Sequence, residues 1–189
     1  MKRFRGTKGI IIFLILICML LCYYFYLSNR KEEAKDEVVE TSVVQEVLLR
    51  DLSRNYPASP KEVIKYYSEL TMCFYNEEHT EEELKQLADR AMELYDEDLA
   101  AHQTESYYSD LKADIAEFAQ GGIQVSSYKV SSSTDVDYFN SGDYECASLY
   151  CTYTLRKGTE LQAVEERFIL RKDAEGHWKI LGWEEAKPR

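Results

Sequence analysis

The stretch from Gly9 to Leu27, GIIIFLILICMLLCYYFYL, holds no charge and no proline. As a helix rising about 1.5 Å per residue it would be about 28 Å long, close to the hydrocarbon core of a bilayer. This run constrains the chain more than any other feature, because it sets the solvent of one segment and the compartment of the rest. Lys2, Arg3, Arg5 and Lys8 precede it with no acid among them. Arg30, Lys31 and Lys35 follow it, mixed with Glu32, Glu33, Asp36 and Glu37. That basic bias puts the N-terminus inside and the C-terminal body outside. Tyr23, Tyr24 and Tyr26 crowd the outer end, where an apolar ring with a hydroxyl suits the headgroups. A cleaved leader needs small residues at its cleavage site, and Ser28 would have Tyr26 at the companion position. Leu21 before Cys22 likewise spoils a lipoprotein site. The expectation is a single-pass cell-membrane protein with an uncleaved signal anchor. Residues 1–8 form a cytoplasmic basic tail, 9–27 the anchor in the lipid bilayer, 28–56 a stalk with an amphipathic helix, and 57–186 an extracytoplasmic domain.

The whole chain has a formal net charge of −11, and the four basic residues before Leu27 leave the body more acidic still. An acidic body argues against nucleic acid and against anionic lipid surfaces as partners. Cys18 and Cys22 belong to the apolar run; Cys73, Cys146 and Cys151 lie in the body and allow at most one disulfide within a monomer. Cys146 and Cys151 fall on opposite faces of one predicted strand and should not pair with each other. There is no CxxC pair, phosphate-binding loop, GxSxG elbow or HExxH. No catalytic residue, cofactor or metal ligand is therefore assigned.

Val44, Val47, Leu48 and Leu52 at helical spacing predict a helix over 40–54, stopped by Asn55-Tyr56-Pro57. Ser59 then caps a helix with Pro60 in its first turn, and Val63, Tyr67, Leu70 and Phe74 form its apolar stripe. Thr80 with Glu83 spells a capping box, followed by Leu84, Leu87, Ala88, Ala91 and Tyr95 as the core face. A third helix is predicted over 104–120, burying Tyr108, Leu111, Ile115 and Phe118 and stopped by Gly121-Gly122. Beyond it the apolar period becomes two. Strands are predicted over 123–131, 135–139, 144–156, 161–172 and 177–183, with turns at Asn140–Asp143, Lys157-Gly158 and Asp173–Gly176. Helices followed by an antiparallel meander give an α+β class, with the helix stripes covering one face of the sheet.

The segments SPKEVIKYYSELTMCFYNE, Ser59 to Glu77, and GHWKILGW, Gly176 to Trp183, carry a resemblance. The order of elements around them resembles the nuclear transport factor 2-like, or cystatin-like, cone over residues 57–184. The whole chain looks like one of the bacterial families of no assigned activity that hold such a cone on one membrane anchor. The resemblance implies a curved antiparallel sheet wrapped on helices, and it implies either a membrane-tethered binding or assembly module with a protein partner in the cell envelope or, as the alternative, a small-molecule-binding or isomerase/hydrolase-type cone enzyme. No aspartate here aligns with the base of enzymatic cones.

The chain holds 15 tyrosines, enough that a polar-aromatic pocket must be weighed against ordinary half-buried packing. Tyr66, Tyr67, Tyr107, Tyr108, Tyr128, Tyr138, Tyr150 and Tyr153 are the tyrosines considered. The pocket candidates are Tyr67, Phe74, Tyr153 and Trp178. His79, His102 and His177 read as loop or edge residues without a partner at motif spacing, and Glu77, Glu78 and Glu81–Glu83 as a solvated helix N-terminus.

Overall fold

A computed structural model describes residues 42–103 and 106–186. The expected basic tail, the anchor at 9–27 and residues 28–41 of the stalk lie outside the described residues. Among the described residues no helix is long and apolar enough to cross a membrane.

Helix α1 spans Val43–Leu48, with the Ser42 hydroxyl accepting from the amide of Gln45. It is shorter than the apolar spacing predicts. The Asp51 carboxylate accepts from both the amide and the hydroxyl of Ser53, and this local turn competes with the helix for the backbone. Leu52 is nonetheless buried, from a turn rather than a helix. Helix α2, Pro60–Asn76, starts at Ser59 as predicted. Its buried face is wider than the four-residue stripe, adding Ile64, Tyr66, Ser68 and Cys73, while Tyr67 is only half-buried. The Tyr66 hydroxyl donates to the carbonyl of Val47 at 3.1 Å and ties α1 to α2.

Helix α3, Glu81–Leu94, has both halves of its capping box, with Glu83 N donating to Thr80 Oγ1 and Thr80 N to Glu83 Oε2. A further short helix, α4, covers Glu97–His102 and is capped by Asp96, so His102 ends a helix rather than sitting in a loop. Helix α5 spans Tyr107–Gly121 and stops at Gly122, whose φ of 63° is left-handed. It buries none of its residues; Tyr108, Leu111, Ile115 and Phe118 are half-buried at most. The expected burial fails because α5 rests on the rim of the sheet instead of its centre, with the Tyr108 hydroxyl donating to Glu81 of α3.

Five antiparallel strands follow: β1 Ile123–Val130, β2 Asp137–Ser141, β3 Tyr144–Lys157, β4 Glu160–Lys172 and β5 Trp178–Glu185. A 3-10 turn at Ser133–Asp135 separates β1 from β2. The order is β1-β3-β4-β5, and β2 pairs with β3 beyond the end of β1. On the helix-facing side, the rows across β3 and β4 are Ala147–Leu170, Leu149–Phe168, Cys151–Glu166 and Tyr153–Val164. The helices pack on this face of a curved sheet.

Two irregularities bend the sheet. Between Val125 and Ser127 one extra residue enters β1, and between Ile180 and Gly182 one extra residue, Leu181, enters β5. A bulge of this kind shifts which alternate residues face inward. Trp178 and Ile180 face inward at the start of β5; after Leu181 the inward residues become Trp183 and Glu185, opposite Phe168 and Glu166. At the other bulge, the Asn76 side chain donates to the Val125 carbonyl at 2.7 Å and accepts from the Val125 amide at 3.0 Å. The end of α2 thus closes the open edge of β1.

Asn76→Ala leaves both backbone groups of Val125 without these partners and is expected to lower stability by about 2 kcal/mol. Urea unfolding of the full chain in detergent measures it, and a loss under about 0.5 kcal/mol would mean that water replaces the side chain.

Candidate functional site

An open cavity of about 520 Å³ lies between α2, α5 and the helix-facing rows of the sheet. From α2 come Tyr67, Thr71, Phe74 and Tyr75, at the three- and four-residue steps that put side chains on one helix face. From α5 come Tyr107, Asp110, Leu111, Asp114 and Phe118, spaced the same way. The sheet adds Val125, Tyr153, Leu155, Val164, Glu166 and Trp183, and His102 and Gln103 close the rim.

The walls are aromatic. Tyr67, Tyr95 and Trp183 form a triangle with ring centroids 5.7–6.1 Å apart, and Phe168 supports it at 5.8 Å from Tyr67 and 5.9 Å from Trp183. Across the cavity Tyr75 stacks on Phe118 at 4.4 Å. The hydroxyls of Tyr67 and Tyr95 are 3.5 Å apart, and that of Tyr107 interacts with Tyr95. Burial pushes the phenols of Tyr67, Tyr95, Tyr107 and Tyr153 well above their ordinary pKa, and that of Tyr75 up to about 12. These hydroxyls stay protonated at every physiological pH. Below Tyr153, the buried Ser68 hydroxyl donates to the Ile64 carbonyl at 2.8 Å and lies 2.9 Å from the Tyr153 hydroxyl, which fixes the ring.

Glu166 is the unusual member. It occupies an inward position between Val164 and Phe168, with Cys151 and Glu185 as its cross-strand neighbours. Burial raises its carboxyl above the ordinary value of 4.5, and the like charge of Glu185 adds to the rise. Among the described residues its carboxylate has no hydrogen bond and no ion pair. Glu166 is half-buried, so its oxygens keep some contact with solvent; among the described residues no fully buried side-chain oxygen or nitrogen lacks a partner.

Three of the four pocket candidates, Tyr67, Phe74 and Tyr153, line the cavity. Trp178 does not. It lies at the far end of the inward face opposite Lys172, beyond the Phe168 and Leu170 rows, where it packs on Tyr138 at 5.7 Å. Trp178 misses the cavity by its position along β5, and the bulge at Leu181 adds Trp183 to the inward face beside the cavity. Of the other tyrosines, Tyr107 joins the cavity and Tyr66, Tyr108, Tyr128, Tyr138 and Tyr150 do not. His102 reaches the rim; His79 lies against the Phe74 carbonyl and His177 stacks on Tyr56 at 4.4 Å, both away from the cavity. Cys73, Cys146 and Cys151 are buried and free of disulfides, and burial raises the thiols of Cys73 and Cys151, which keeps them unreactive. Among the described residues no three His, Cys, Asp or Glu side chains stand together as a metal site.

Residues 1–183 match the family described as Domain of unknown function (DUF6715). The chain belongs to this family. No curated protein matches the sequence. Within a DUF6715 chain of this fold, Glu166 and Trp183 are the residues that sequence reasoning missed. Glu166 had a signal, because an acid interrupts the inward row Val164, Phe168, Leu170. Trp183 had none, because simple alternation from Trp178 puts it on the outer face.

The charge of Glu166 costs the folded state more than the unfolded chain, so its contribution to stability falls as pH rises from 4.5 through the raised value. Glu166→Gln is expected to raise the melting temperature at pH 7. The gain should vanish below pH 4.5, where the carboxyl is protonated in both states. Thermal scans at the two pH values check it, and a Gln variant less stable at pH 7 would show that the carboxylate has a stabilising partner.

Proposed function

We propose that this protein is a membrane-tethered, extracytoplasmic module that binds a small molecule in its aromatic cavity. The single observation that carries the reading is the cavity itself: about 520 Å³, walled by tyrosines and Trp183, with an unpartnered carboxylate, Glu166, at its inner wall. Its size falls among ordinary ligand pockets, and a few polar groups in an apolar lining are how such pockets orient a ligand. The bulged sheet and the helices on its one face support a nuclear transport factor 2-like cone. The basic flank and uncharged run before Ser28 support an anchor in the lipid bilayer with the body outside the cytoplasm.

Two other readings have observations in their favour. A cone enzyme of isomerase or hydrolase type would use a carboxyl with a raised pKa beside phenol donors, as Glu166 beside Tyr153 provides. Assembly with a protein partner in the envelope would use the exposed rings of Tyr138, Phe139 and Tyr144 on the β2–β3 hairpin.

Val164→Trp should fill the cavity. Ligand-observed NMR of the full chain in detergent micelles, screened against a fragment set, is expected to give hits that this variant removes while the fold is retained. Hits that persist unchanged would end the cavity reading. For the tether, protease added to cells stripped of their wall should digest the body, and protection of the body in intact spheroplasts would reverse the orientation.

A further inference from the structure

The cavity is charged on one side of neutrality only. Glu166, Asp110 and Asp114 face it, and among the described residues no lysine or arginine contributes to its lining. His102, at the rim, already has Nδ1 engaged with the Asp98 carbonyl. Asp110 accepts from the Ser106 hydroxyl at 2.6 Å. Glu166 has neither a donor nor a counter-charge among the described residues, and one of its two cross-strand neighbours is another acid, Glu185.

Each class of ligand meets these facts differently. An anion would approach three carboxylates and no cation. A neutral apolar ligand would strip the remaining water from Glu166 and give it nothing in return, which is costly for a charged group. A metal ion would need several oxygen ligands at once, and among the described residues no three suitable side chains converge. An organic cation suits both parts of the lining. Aromatic ring faces attract positive charge, and Tyr67, Tyr95 and Trp183 stand as a cluster of three. Asp110 and Asp114, one turn apart on α5, add a negative field at the mouth that draws cations in.

We propose that the cavity takes an organic ammonium ion, its nitrogen against the Glu166 carboxylate and its apolar body along Tyr67, Tyr95 and Trp183. This rests on the ligand-binding reading above.

Benzyltrimethylammonium is the probe, N,N-dimethylbenzamide its uncharged comparator of similar size, and calorimetric titration of the full chain in neutral detergent the measurement. The cation is expected to bind on the order of tenfold more tightly than the amide. Glu166→Gln should weaken the cation on the order of tenfold and leave the amide unchanged. The Asp110→Asn/Asp114→Asn double variant, which alters only exposed positions, should weaken the cation alone by a smaller factor. Equal binding of the two probes, or cation affinity unchanged in both variants, would overturn the ammonium assignment. If Val164→Trp still removed fragment hits, that failure would leave the cavity reading standing. If neither probe bound and no fragment hits were found, both would fall.

Discussion

The ion pair between Asp96 and Arg171 is the contact on which the placing of helices against sheet depends. Asp96 is 4 % exposed, where a lone carboxylate would be strongly unfavourable. Arg171 on β4 meets it with two guanidinium nitrogens, Nε at 2.8 Å from Oδ2 and Nη2 against Oδ1, and also reaches Asp98 at 2.8 Å. Such a two-point pairing fixes direction as well as distance. The amide of Asp96 donates to the Ile180 carbonyl at 2.8 Å, and Tyr95 forms a parallel bridge with Ile180. One residue therefore caps α4, ends the run from α3 and binds β4 and β5. Tyr95, its neighbour, is held by the same contacts in the wall that it shares with Tyr67 and Trp183.

Much of the fold is legible in the order of residues because local chemistry and the hydrophobic pattern agree. Ser59-Pro60, Thr80 with Glu83 and Gly122 each mark a helix end through a specific backbone need, and the structure has an end at each. The strand regions are legible for a similar reason: Ala147, Leu149, Cys151 and Tyr153 alternate with more polar residues and face the core. Where a tertiary contact decides, the pattern misleads. Helix α4 depends on a cap, Asp96, whose charge needs Arg171 from 75 residues away. The burial expected of α5 depends on how far it lies from the sheet centre, which no local period encodes.

The candidate site is half legible for the same physical reason. Tyr67 and Phe74 follow from the helical stripe of α2, and Tyr153 from the alternation of β3. Trp183 depends on one residue, Leu181, that the pairing of β5 leaves over. A bulge is a property of two strands together, so reading one strand cannot find it. Glu166 is visible as an acid in an apolar row but acquires meaning only from its surroundings, which among the described residues hold no counter-charge for it.

Helix α5 forms one whole side of the cavity, yet none of its 15 residues is buried. Its attachment is a thin layer of half-buried side chains with the Tyr108 and Lys112 contacts to Glu81. The free energy needed to detach such an element is set locally and is small beside that of melting the sheet. Opening of the chamber is thereby uncoupled from the durability of the scaffold: the proposed guest would need only this one rod to shift, with the strands behind it intact.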